Sequence, residues 1–255
     1  MLGPRWLYLH GFASGPGSAK GSRLADHYAE KSVTVECLDL RRPSMDHLRL
    51  SAMMAHVRDA IGTPADCAVV LGSSLGGLTA ARVAEEDARV CALVLLAPAF
   101  RLVERWRARI GEAEWEGWRT TGCLETKDHA SGGMARVDFA YTEDVARVEA
   151  RGGGWPDVRV PTLIVHGSRD DIVPVEGSRR WADGKPHVRL VEVDDGHELV
   201  ARPHRARGRS APDGLPSALR TVPVTLIGVA SAPARPDSCP LPVDGGVAAP
   251  SSDTA

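Results

Sequence analysis

The sequence predicts an α/β protein with a mainly parallel sheet of about six strands, helices on both faces and a lid insertion. Three observations predict it. Short apolar runs recur up to about residue 200, and helix-like stretches separate most of them. One stretch, residues 101–156, breaks that rhythm. Most of the apolar runs are apolar throughout rather than alternating, as strands covered on both faces should be.

In chain order, the strand-like runs are Trp6–Leu9, Val33–Leu38, Cys67–Leu71, Val90–Leu96, Thr162–Val165 and Val188–Val193, rich in leucine or β-branched residues. The helix-like stretches are about Ser18–Glu30, Ser44–Ile61, Leu75–Glu86 and Val175–Ala182. Residues 101–156 hold charged, tryptophan-rich helical turns, then a less regular stretch, then the linker-like RGGGWPDVRVP. An insertion of this size between two strands reads as a lid or cap over a site, with Trp106, Trp115 and Trp118 as candidate pocket walls. The alternative is that these tryptophans glue the insertion to the core.

The domain reading is one unit over residues 1–200 and a tail over 201–255. The tail holds half of the chain's 18 prolines and no Phe, Trp, Tyr, Lys or Glu. Such a segment buries too little apolar surface to offset its ordering entropy, so it is expected to be mostly disordered. Thr221–Ala230 is the exception that could add a strand.

Composition narrows the function classes. The net charge is −2, with both signs interspersed, so no clustered basic face for nucleic acid is expected. No apolar run reaches the length of a membrane span, and the start, MLGPRWLYLHGF, lacks a signal peptide's layout. Cys37, Cys67, Cys91, Cys123 and Cys239 form no CxxC pair and read as reduced core thiols of a cytoplasmic protein.

The chemistry centres on VLGSSLGG, residues 70–77. No lysine follows these glycines, so this is no P-loop, and the spacing is wrong for a dinucleotide fingerprint. G-x-S-x-G fits, as Gly72-Ser73-Ser74-Leu75-Gly76, and this frame selects Ser74. A sharp strand-to-helix turn forces the central residue into strained dihedrals, so the residues two away must be small. A serine hydroxyl needs a base. Downstream, Asp170 follows the strand-like TLIVHG, and His197 follows the strand-like VRLVEV. All three groups then sit beyond the carboxyl ends of parallel strands. Asp171 is an alternative acid, and Asp194 or Asp195 could hold the histidine instead. An oxyanion hole needs two backbone N–H donors. Leu75 supplies one and Phe12, in the glycine-rich loop after the first strand, supplies the other. His10 reads as orienting that loop, and Lys20 lies too far along it to match a P-loop.

YLHGFASGPGSAKG, GSSLGG, HGSRDDIVP and DDGHEL together resemble the α/β-hydrolase superfamily, and more narrowly its small YqiA-type bacterial esterases, over roughly residues 5–199. The order Ser, Asp, His is the one expected there. The resemblance implies a minimal α/β-hydrolase fold, a Ser74–Asp170–His197 triad and carboxylic-ester hydrolysis; the tryptophan-bearing insertion suggests small apolar esters, and a two-step acyl-enzyme mechanism on that triad requires no metal or organic cofactor. The resemblance also implies a last amphipathic helix after the histidine. The chain instead reads ELVARPHRARGRSAPDG, with Pro203 and Pro212, which suggests a replaced C-terminus, as from a reading-frame change. Two other readings remain open. One is an aminopeptidase or carbon–carbon hydrolase using the same triad, for which Glu112, Glu114 and Glu116 could bind a substrate amine. The other is a non-catalytic ligand-binding protein on the same fold.

Overall fold

The computed structural model describes residues 4–199 and the short strand Arg207–Gly208. The expected tail, 201–255, otherwise lies outside the described residues, as do Thr221–Ala230 and Cys239.

Six parallel strands form the sheet: β1 (Arg5–Leu9), β2 (Val35–Leu38), β3 (Ala68–Ser73), β4 (Val90–Leu96), β7 (Thr162–Gly167) and β8 (Val188–Val193). They lie in the order β2-β1-β3-β4-β7-β8, and β9 (Arg207–Gly208) adds an antiparallel edge to β8. The order reverses beside β1 and β3, so their carboxyl ends open the crevice where such sheets bind ligands.

Side chains alternate across the sheet with period two. Trp6, Tyr8, Val69, Leu71, Val94 and Leu96 face helix α1 (Ala19–Ala29), through its Leu24 and Tyr28. Leu7, Leu9, Val70, Leu93 and Leu95 face the other way. That second face is covered by α2 (Leu50–Ile61), α3 (Leu75–Glu86) and α7 (Glu176–Ala182), with the insertion. β3 is buried along its whole length, and each large apolar side chain so buried stabilises the fold by roughly 1.5–3 kcal/mol.

Helix α1 begins where expected because Ser18 accepts a hydrogen bond from the Gly21 N–H. Helix α2 begins at Leu50, not at Ser44. The Ser44 hydroxyl instead accepts the His47 N–H and closes a turn ahead of the helix.

Between β4 and β7 lie α4 (Leu102–Ile110), α5 (Glu112–Thr121), a hairpin of β5 (Cys123–Lys127) and β6 (Met134–Asp138), and α6 (Ala140–Glu149). The hairpin occupies the stretch read as less regular. Polar contacts pin the insertion to the body. Arg49 makes a two-pronged pair with Asp138, the Asp144 carboxylate accepts the Ser51 N–H and hydroxyl, and the His129 N–H donates to the Ala13 carbonyl.

The expectation of core thiols needs correction. The four described cysteines are free, but Cys67 is exposed and Cys37, Cys91 and Cys123 are half-buried. They lie at strand edges and ends, where solvent reaches them. Among the described residues, no helix is long and apolar enough to cross a membrane.

Candidate active site

Ser74 stands between the end of β3 and the start of α3 with φ +52° and ψ −113°, a conformation that side-chain-bearing residues seldom adopt. Its surroundings hold it there. The Ser74 N–H donates to the Leu96 carbonyl at 2.9 Å, and its own carbonyl accepts the N–H groups of Leu78 and Ala99. The flanking glycines are a steric requirement. A β-carbon on Gly72 would fall on the Gly76 carbonyl, and one on Gly76 would fall on the Leu9 carbonyl.

Asp170 sits in the turn after β7 with its carboxylate out of solvent. Oδ1 accepts the N–H groups of Ile172 at 2.9 Å and Val173 at 2.7 Å. Oδ2 lies 2.7 Å from Nδ1 of His197 and 3.3 Å from Nε2 of His166. Burial alone would raise the Asp170 pKa. The hydrogen bonds from His166 and His197, with the Val173 N–H, outweigh it and hold the carboxyl well below the usual range. Asp171, the alternative acid, is not the histidine's partner: the carboxylate on His197 Nδ1 is that of Asp170. Asp194 is exposed and paired with Arg169, and Asp195 accepts the neighbouring Gly196 N–H.

His197 follows β8. Its loop crosses β7 so closely that a β-carbon on Gly167 would meet the carbonyls of Asp195 and Gly196. With Nδ1 donating to Asp170, Nε2 carries the free lone pair and can accept a proton. Ser74 and His197 line one cavity of about 770 Å³, although no hydrogen bond joins their side chains. Phe12 and Leu75 line it too, and their backbone N–H groups have no hydrogen-bond partner among the described residues. The Phe12 loop passes close to the serine: a β-carbon on Gly11 would lie 3.5 Å from that of Ser74, an ordinary van der Waals contact.

The three tryptophans separate. Trp106 lines the cavity, edge-on to Phe12 at 4.8 Å. Trp115 and Trp118 do not reach it. They are buried behind Trp106, where the Trp118 indole N–H donates to the Val137 carbonyl. The sequence offered all three as pocket walls or as glue to the core but could not say which one faced the site.

Several contributors were not singled out as site residues from sequence. His166, fully buried, donates from Nε2 to the Val173 carbonyl and accepts the Ser178 hydroxyl at Nδ1, so it braces the Asp170 turn. Its four-residue spacing from Asp170 was a usable signal. Lys20 ties down the histidine loop, donating to the His197 carbonyl at 3.1 Å and pairing with Glu198 at 3.2 Å. No local pattern announces a contact spanning that much chain. His10 orients its loop as expected: Nδ1 donates to the Gly11 carbonyl, and Nε2 accepts the Leu40 N–H. Burial lowers its pKa, which keeps it neutral in that role. Among the described residues, no group of three His, Cys, Asp or Glu side chains is placed to hold a metal ion.

Residues 5–205 match the profile of an uncharacterised protein family, UPF0227. A pimeloyl-[acyl-carrier protein] methyl ester esterase of Xanthomonas campestris is 26% identical over 226 residues, spanning 76% of this chain and 87% of that one. Among solved structures, the mouse α/β hydrolase domain-containing protein 10 superposes with a TM-score of 0.63 at 18% identity, covering 78% of this chain and 83% of that one. A putative hydrolase from Agrobacterium vitis gives 0.63 at 24% identity, covering 77% and 81%. The fold is that of the α/β-hydrolases.

Proposed function

The chain belongs to the UPF0227 family, a YqiA-type branch of the α/β-hydrolases, and from that premise we propose that it is a serine hydrolase cleaving carboxylic esters through an acyl-enzyme intermediate. One observation carries the reading. A serine held at positive φ shares a cavity with a histidine whose far nitrogen is fixed on a buried carboxylate, and with two unpaired backbone N–H groups.

His197 Nε2 takes the Ser74 proton as Ser74 Oγ attacks the ester carbonyl. Asp170 fixes the imidazole tautomer and stabilises its cation, while the Phe12 and Leu75 N–H groups hold the oxyanion. His197 then protonates the departing alcohol. A water, activated by the same nitrogen, releases the acid and frees Ser74. The relative from Xanthomonas campestris is described as a methyl ester esterase, which supports an ester as the substrate class.

The peptidase reading draws no support from the insertion's carboxylates. Glu112 pairs with Arg107 and Glu116 with Arg119, and none of Glu112, Glu114 and Glu116 lines the cavity.

The test is hydrolysis of p-nitrophenyl esters, acetate to octanoate, by the wild type and Ser74→Ala, alongside fluorophosphonate labelling. Loss of turnover by roughly 10⁴–10⁶-fold, with loss of labelling and an unchanged melting temperature, is the expected result. Equal activity in both proteins refutes the nucleophile. A folded wild type that neither turns over nor takes the label leaves a ligand-binding protein.

A further inference from the structure

The cavity around Ser74 has an unusual charge. Lys20, Arg23, Arg41, Arg105 and Arg109 line it, and Glu198 is the one acidic residue among the lining side chains. Three of these cations are engaged. Lys20 pairs with Glu198, Arg41 with Asp39 at 3.0 Å, and Arg109 donates to the Asp171 carbonyl. Arg23 and Arg105 have neither a side-chain hydrogen bond nor an ion pair among the described residues.

Arg105 is the more telling of the two. Its Nε and Nη1 are out of solvent and without a hydrogen-bond partner. Burial pushes its pKa down to about 10, because Asp170 and Glu149 act on it only from beyond ion-pair range. Asp170 is already committed to two histidines and two backbone N–H groups, and Glu149 to the N-terminus of α4. A guanidinium left partly desolvated beside a cavity is costly unless an anion completes it, and its planar fork suits carboxylate or phosphate. Arg105 also adjoins Trp106. The cavity that Arg105 shares with Ser74 is partly apolar, with Phe12, Leu102, Trp106, Ile172 and Val173 also lining it.

We infer that the preferred substrate is an ester carrying an oxyanionic head group, carboxylate or phosphate, which Arg105 holds in the Ser74 cavity with an apolar spacer along Trp106. The inference rests on the proposed ester hydrolysis for its site but not for its test. Arg105 is then the residue that determines specificity, and it takes no part in the bond-making steps.

The experiment is calorimetric binding to the full chain carrying Ser74→Ala, so that no turnover is needed. One pair of ligands is monomethyl adipate and neutral dimethyl adipate. The other is butyrylglycerol phosphate and neutral monobutyrin. In at least one pair the anion should bind about tenfold or more tightly, as a charge-assisted pair predicts, and that pair names the head group. Adding Arg105→Gln should bring the two members of the pair to similar affinity, and Arg105→Lys should restore part of the gap. The inference is overturned by equal binding within both pairs, a result that needs no second substitution, or by a preference that survives Arg105→Gln. Because binding is measured in the absence of the serine, failure of the catalytic reading shows separately, as missing fluorophosphonate label on the wild type.

Discussion

The strand-end loops and the insertion between β4 and β7 line the same cavity, yet different forces hold them. The loops that carry Ser74 and Asp170 end strands buried on both faces, the Phe12 loop ends one buried beyond its first residue, and the His197 loop ends β8, which is buried on one face and half-buried on the other. Their backbones approach so closely that Gly72, Gly76 and Gly167 admit no side chain. The insertion rests on an aromatic cluster of Trp106, Trp115, Trp118, Phe139 and Tyr141, and on scattered ion pairs. The first region can hold reacting groups to a fraction of an ångström. The second offers a wall whose shape and charge can change without disturbing them. On the proposed mechanism, chemistry belongs to the loops and selectivity to the insertion, and each prediction below tries that division.

The largest effect is expected from Asp170→Asn. Oδ1 accepts two backbone N–H groups, so the amide oxygen should take that place and the NH₂ should take the place of Oδ2. There it faces two imidazole nitrogens, and Nε2 of His166 already donates to Val173. His197 can satisfy the NH₂ only by turning Nδ1 into an acceptor, which puts its proton on Nε2 and removes the base. A fall in kcat of about 10⁴ is expected, as for a triad left with the wrong tautomer. It should be equal across p-nitrophenyl esters of every chain length. A fall that depends on chain length breaks the division.

What could be read beforehand follows the same line. The inner strands β3, β4 and β7 were legible because strands buried on both faces write themselves as unbroken apolar runs, and β2 and β8 because their apolar residues are interrupted only by Glu36, Arg189 and Glu192; the observed ends of all six differ from the expected ones by a few residues. The GxSxG frame was legible because backbone contact at Gly72 and Gly76 permits no other residue. The hairpin was missed although Leu124 and Thr126 alternate with the exposed Glu125 and Lys127, since charged residues on both strands hid the period. Which tryptophan faces the cavity, and that Arg105 lies unpaired beside it, depend on how separate elements meet. No local pattern records that.

Trp118→Ala should come next in size. The side chain is 2% exposed, meets Trp106, Trp115 and Phe139, and donates to Val137. Its removal should destabilise by about 3–5 kcal/mol, seen in a chemical melt. Below the melt, kcat for acetate esters should stay near the wild type, while KM for longer acyl chains rises as Trp106 loses its backing. A uniform loss of kcat would mean that the insertion shapes the reacting groups as well.

The smallest effect is expected at Glu149, where the insertion pins itself to its own first helix. Oε1 accepts the Leu102 N–H at 2.6 Å, at the start of α4. Burial raises the Glu149 pKa, and the backbone N–H groups with Arg82 and Arg105 only partly oppose it. The folded carboxyl therefore keeps a proton at pH values where the unfolded one, near 4.5, has lost it. Protons bound in excess by the folded state mean that stability falls as pH rises, from the unfolded pKa through the raised folded one. Glu149→Gln keeps an oxygen for Leu102 and does not titrate. The melting temperature of the wild type, measured against that of Glu149→Gln, should climb as pH is lowered from 7 toward 4.5. Asp170 moves the other way. Its depressed pKa gives stability that is present above the unfolded value and is lost only in stronger acid, so it leaves this window flat. A wild-type-minus-variant difference that stays constant between those pH values would show that Glu149 is not strained by its burial, and that the insertion is docked as firmly as the loops.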